Sequence, residues 1–180
     1  MPDSDEITFR RANVEDAAAL AEFARRVFVE TYAPDNTPED MAQYVGAAFG
    51  QARQAAELAD PAVATVVGEA AGRMAAYAQL RRGAAPACVA GPEPVEIMRF
   101  YVDGPYQGRG VAQRLMAEAL RTARGLGART AWLSVWERNP RALAFYRKLG
   151  FQVVGSATFL LGADLQDDFV MARPLDSEDA

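Results

Sequence analysis

The sequence predicts an α+β (mixed α/β) fold: one central sheet, mostly antiparallel, with helices flanking it. Two observations carry that prediction. Strand-helix-strand over residues 95–136 is the single clear crossover unit, and a crossover of that length joins parallel strands. On both sides of it, short alternating apolar runs follow one another closely, as antiparallel hairpins do. A doubly wound parallel sheet is therefore not expected.

Ile7 to Arg10 reads as a first strand. Asn13 is a good N-cap, with Glu15 and Asp16 in the first turn, and Leu20, Phe23, Ala24 and Val27 follow at helical spacing. Thr37 caps a second helix that has Pro38 at its first position and Glu39 and Asp40 behind. Met41, Tyr44, Val45 and Ala48 form its apolar face. A shorter helix runs from Gln51 to Ala59. Val63–Glu69 and Met74–Arg81 form a hairpin around Ala70-Ala71-Gly72-Arg73. Gly83 to Pro94 is a loop.

Val95 to Val102 is a strand, and Arg109 to Leu126 a helix that ends at Gly125 and Gly127. Arg129 to Trp136 is the next strand. Asn139 caps a helix with Pro140 at its first position and Gly150 at its end. Phe151–Phe159 and Asp168–Arg173 are the last two strands. Residues 1–175 are expected to form a single domain, and 176–180 a frayed acidic tail.

Composition narrows the function. The 180 residues include no histidine. That excludes a Ser-His-Asp triad, a Cys-His nucleophile and a histidine metal site, and no metal is expected. Proton transfer is left to carboxylates, tyrosine, cysteine or water. The formal net charge of −5 argues against nucleic acid as a partner. No stretch is long and apolar enough for a membrane span, and the acidic N-terminus is no secretory signal. Cys88 is the sole cysteine and sits in a loop; it is not read as an acyl carrier. A cytoplasmic protein is expected.

The segment from Glu96 to Arg114 is the most informative one. A strand runs into a glycine turn, and a helix follows at once, so the helix's first N–H groups face whatever lies in front. Such a site suits a pyrophosphate. The turn lacks the third glycine of a dinucleotide fold and the Gly-Lys-Ser/Thr of a P-loop. It does fit Gln/Arg-x-x-Gly-x-Gly/Ala through Gln107, Gly110 and Ala112.

A second block, Asn139, Ala142, Phe145-Tyr146 and Gly150-Phe151, fills Asn-x-x-Ala-x-x-Phe-Tyr-x-x-x-Gly-Phe. Together the two blocks resemble the GCN5-related N-acetyltransferase (GNAT) superfamily over roughly residues 95 to 160. That resemblance implies the GNAT fold, with a splayed parallel strand pair that takes acetyl-CoA as co-substrate. It implies that the backbone of Phe100, Tyr101 and Val102 pairs with the pantetheine. The N–H groups of Gln107, Gly108, Arg109, Gly110, Val111 and Ala112 would then cradle the pyrophosphate. Arg109 and Arg114 could add charge there, or be solvated helix arginines. Asn139 could bond the pantetheine or serve only as a cap.

The same resemblance places Tyr146 beside the thioester sulfur as the acid that protonates the leaving thiolate. It also points to Glu96, eleven residues before Gln107, as the base. Glu137 is the second choice. Deprotonating an alkylamine at neutral pH costs about 4–5 kcal/mol, so a base has value. The expected activity is direct acetyl transfer to a primary amine. Glu30, Tyr32, Trp136 and Glu137, with Phe159 and Asp164, resemble the acceptor region of the bacterial spermidine/spermine acetyltransferase branch, and acids with aromatics suit a polycation. The alternatives are a protein N-terminus or an antibiotic-type amine as acceptor, or a non-catalytic acyl-CoA-binding regulator. A homodimer is the assembly the family implies.

Overall fold

A computed structural model describes residues 6–175. The expected acidic tail lies outside them. In chain order the elements are β1 (Thr8–Arg11), α1 (Ala17–Tyr32), α2 (Pro38–Ala48), α3 (Gln51–Ala59), β2 (Val63–Ala70), β3 (Arg73–Arg82), β4 (Pro94–Val102), α4 (Val111–Gly125), β5 (Thr130–Trp136), α5 (Pro140–Lys148), β6 (Gln152–Leu161) and β7 (Asp164–Pro174). The strands form one seven-stranded sheet in the order β1-β2-β3-β4-β5-β7-β6. Every neighbouring pair is antiparallel except β4–β5, which is parallel. This is the mixed sheet that the crossover and the hairpins predict.

Local chemistry sets the boundaries. The Asn13 side chain accepts from the Glu15 N–H, and Asp16 accepts from the Asn13 N–H. That reciprocal pair closes a 3-10 turn over Val14–Asp16, and α1 proper starts only at Ala17. Thr37 accepts from the Asp40 N–H and starts α2 as expected. The β2–β3 turn is tighter than the sequence suggests: Ala71 and Gly72 alone make it, both with positive φ, as a two-residue hairpin requires.

Two expectations are corrected. The helix expected from Arg109 begins at Val111, because Gly110 takes φ +76°, which a right-handed helix cannot contain. The last two strands run further than expected and meet in a short turn at Gly162-Ala163. Their outer ends carry the exposed Leu160 and Leu165, so the projecting hairpin has little burial pattern to announce it.

The sheet is covered on both faces. On one, Leu115, Met116 and Ala119 of α4 pack against Ile97, Leu133 and Met171. On the other, Leu20, Phe23 and Val27 of α1 and Met41 and Val45 of α2 pack against Val67, Tyr77 and Leu161. Each fully buried Leu or Phe in these layers stabilises the fold by about 1.5–3 kcal/mol. The 83–93 loop lays Val89 on Trp132 and Val170, next to the second layer. No described helix is long and apolar enough to cross a membrane.

Candidate active site

The parallel pair is short. Pro94, Val95 and Glu96 pair with Thr130, Ala131 and Trp132, and the pairing stops there. A cause is visible one strand away. Leu80 of β3 pairs with Ile97 and Gln79 with Arg99, so Met98 is an extra residue in β4. Such a bulge bends the strand that carries it. Beyond it β4 and β5 diverge into a cleft of about 1050 Å³.

The mouth is built by the glycine turn. Gly108 and Gly110 both have left-handed φ, +75° and +76°, with nothing within 4 Å of where a Cβ would stand. The first turn of α4 follows, with N–H groups that have no intrahelical acceptor. Gln107 joins the two walls: its Nε2 donates to the Val102 carbonyl at 2.9 Å, and its Oε1 accepts from Arg141 of α5 at 2.8 Å. Phe100, Tyr101, Val102, Gln107, Gly108, Gly110, Ala112 and Asn139 all line the cleft. Val111 is turned into the core, 4 % exposed, and Arg109 is exposed on the rim side outside the lining. Arg114 is neither at the cleft nor merely solvated. It donates to the Ile7 carbonyl at 2.7 Å and stacks over Phe9, so it fastens β1 to α4.

On the far wall Asn139 caps α5 by accepting from the Ala142 N–H. About two turns on, Tyr146 reaches the cleft. It is wedged edge-on between Phe100 at 6.2 Å, Phe145 at 5.4 Å and Phe151 at 5.9 Å. Burial raises its pKa well above the usual phenol value, so it enters any reaction protonated.

The face of the sheet towards α1 and α2 forms the other end of the cleft. Glu96 lies at the closed floor, ion-paired with Arg81 of β3 at 2.7 Å. Arg99 bridges Glu57 of α3 and Gln79. Tyr101 shares a hydroxyl–hydroxyl hydrogen bond with Tyr32 and stacks on Tyr77. Tyr32 meets Trp136 at 6.3 Å, and Tyr44 meets Phe159 at 5.1 Å. Glu30 lines the outer edge in an ion pair with Arg26. Glu137 is exposed and outside the lining, and Asp164 is at the hairpin tip, where it accepts from Gln166. The structure thus brings Tyr32 and Trp136 together and leaves Glu137 and Asp164 apart from them.

Comparison with known proteins assigns the arrangement. Residues 19–151 match the Acetyltransferase (GNAT) family. The chain belongs to the GNAT acetyltransferase family. An uncharacterised N-acetyltransferase of Mycobacterium tuberculosis is 39% identical over 160 residues, covering 89% of this chain and 98% of the relative. The N-alpha-acetyltransferase RimI of the same organism is 33% identical over 172 residues, 95% of this chain and 94% of RimI. The PaiA N-acetyltransferase of Thermoplasma acidophilum, solved in complex with coenzyme A, superposes with a TM-score of 0.74 at 21% identity, covering 94% of this chain and 99% of that one. This GNAT chain is therefore an N-acetyltransferase on the GNAT fold.

Two features of this GNAT site escape sequence reasoning. One is the buried Arg99 with Glu57. The other is Asp168, near the middle of β7 and 8 % exposed in the cleft wall. Its pKa is pushed up to about 6, first by burial and then by Asp167 and Glu137. The one signal in the sequence is a pair of acids, Asp167-Asp168, running straight into an apolar strand: alternation must turn one of them inward.

Proposed function

We propose that this enzyme transfers an acetyl group from acetyl-CoA directly to a primary amine held between α1, α2 and the β6–β7 hairpin. The observation that carries the reading is the parting of β4 from β5 after three residue pairs, with the glycine turn at its mouth and Tyr146 on its wall. The residues present fit a CoA arm. Gly108 and Gly110 leave open room for close backbone approach, and the N–H groups at the start of α4 suit a pyrophosphate. The edge of β4 over Phe100–Val102 is free to pair with an extended chain.

Acetyl-CoA would supply the activated thioester; the chain's residues do the rest. Backbone N–H groups in the opened strands are placed to favour a tetrahedral oxyanion. Tyr146, held protonated by burial, is the donor to the departing thiolate. Glu96 is a fixed charge at the floor, able to orient water beneath the reacting carbonyl. Holding both reactants in one cleft contributes much of the rate.

For the acceptor, the aromatic and acidic lining from Tyr32, Tyr44, Trp136 and Asp168 supports a slim cationic amine, the polyamine class first. The likeness to RimI supports a peptide α-amine as the second class. The test is thiol release from acetyl-CoA over a panel of spermidine, a short peptide with a free N-terminus and an aminoglycoside. Turnover on one class is expected. Acetyl-CoA binding without turnover on any of them would make the chain an acyl-CoA-binding regulator instead.

A further inference from the structure

The buried polar side chains among the described residues are Gln54, Thr65, Gln79, Thr130 and Asp168. Gln79 donates to Thr65 and Thr130 to the Pro92 carbonyl, while Gln54 donates to the Ala48 carbonyl but leaves its neutral Oε1 without a partner. The charged exception is Asp168: its carboxylate makes no hydrogen bond or ion pair with any described residue. A carboxylate held out of water without a partner is costly, and folds do not keep one without a reason. It is not sealed in; it opens on the cleft.

Its surroundings fit a cation. On one side is Trp136, its cross-strand partner on β5. Tyr32 of α1 leans on that indole, and Tyr44 and Phe159 continue the wall. The charged and titratable groups that act on it are Asp167 on its own strand, Glu137 just past β5, Tyr32 on α1 and Tyr44 on α2. No guanidinium is among them. A carboxylate with negative neighbours and aromatic faces attracts an ammonium through charge and through the rings' quadrupoles. Glu96 on the same face differs on this point, since Arg81 already matches its charge.

We propose that Asp168 receives the terminal ammonium of the acceptor and takes its proton, an assignment that rests on the acetyl-transfer reading above. The N–H bond of the ammonium breaks and the proton passes to the carboxylate. The freed lone pair attacks the thioester carbonyl carbon. The C–S bond breaks, and the thiolate leaves with the proton of the Tyr146 hydroxyl. The second proton lost by the nitrogen restores the tyrosine through water, and Asp168 returns its own proton to solvent as the amide leaves. The raised pKa of about 6 suits this duty, because the group is ionised at neutral pH yet basic enough to hold a proton briefly.

The test compares Asp168→Asn and Glu96→Gln with the wild-type enzyme on spermidine and on the short peptide. Thiol release is followed across the neutral and mildly acidic range. Calorimetry, separately, measures binding of each amine to the CoA-bound protein. For Asp168→Asn, kcat/KM is expected to fall about 100-fold or more. Its decline on the acid side of about pH 6 should vanish, and amine affinity should fall about tenfold while CoA affinity holds. The proposal is overturned if Asp168→Asn keeps the acid limb and the amine affinity, or if Glu96→Gln alone removes that limb. Should the wild type turn over no amine, the acetyl-transfer reading fails, and calorimetry still decides Asp168: equal amine binding by both proteins, or none by either, sinks the assignment.

Discussion

Asp40, in the first turn of α2, accepts the backbone N–H of Ala163 at 2.6 Å from the tip of the β6–β7 hairpin. Gln166 adds a second tie, donating to Asn36 at 2.6 Å. The hairpin is thereby fastened across the acceptor end of the cleft. Contact here is tight: a Cβ on Gly162, whose φ is +63°, would stand 2.4 Å from the Asp40 Cα. Gly162→Ala should therefore lift the hairpin, at a cost of about 1–3 kcal/mol in stability. The KM for the amine should rise while that for acetyl-CoA stays put. Urea titration and steady-state kinetics check both. Unchanged amine KM with a destabilised fold would remove the hairpin from the acceptor site.

Asp168 also shapes stability. Its folded pKa is raised to about 6 from an ordinary value of 3.8, so the folded chain binds this proton more tightly than the unfolded chain. The stability it contributes is complete in acid and is lost as pH rises from about 4 to about 6. Asp168→Asn removes that loss and should stabilise the protein by about 1–3 kcal/mol above neutrality. In mild acid, near pH 4, the two proteins should unfold at almost the same urea concentration. A gain in stability joined to a loss of activity is the expected pairing for a group held for chemistry.

Tyr146→Phe keeps the three edge-on ring contacts and removes only the hydroxyl. The fold and the acetyl-CoA KM should hold, and kcat should fall about 10–100-fold. Burst and steady-state thiol release would read this directly. A variant with wild-type kcat would mean that water protonates the thiolate.

Gly110→Ala places a side chain at φ +76°, a strain of about 1–2 kcal/mol. There is room for the methyl inside the protein, since nothing lies within 4 Å of it. The added group points instead at the approach to the helix start. CoA affinity should drop about tenfold or more, with little change in amine binding to any complex that forms. Calorimetry with CoA alone is sufficient. Undiminished affinity would place the pyrophosphate elsewhere.

What could be read from the sequence is what depends on neighbours along the chain. Asn139 before Pro140 and Thr37 before Pro38 act within a few residues, and each caps its helix as the sequence predicts. The start of α4 lies two residues later than the pattern predicts, because Gly110 reads equally well as part of the helix or the last residue of the turn. The placing of Asp168 could not be read. It faces Trp136 only because β7 inserts between β5 and β6. No local pattern encodes that order. The role of Arg114 is hidden from the sequence too, since its partner Ile7 lies 107 residues away.

The short parallel seam also says something about how the chain gets there. β1 to β4 pair only with one another until Pro94, and β5 to β7 pair only with one another after Thr130, apart from three residue pairs. Each set holds one two-residue hairpin, β2–β3 and β6–β7, and short loops close at small entropic cost. Joining the sets needs the whole 103–129 excursion to fold back. Two antiparallel leaves should thus assemble early and independently, and meet along Pro94–Glu96 last. The wedge where acetyl transfer is proposed would be the final seam sewn, and its width would be set by how two finished leaves come to rest on α4.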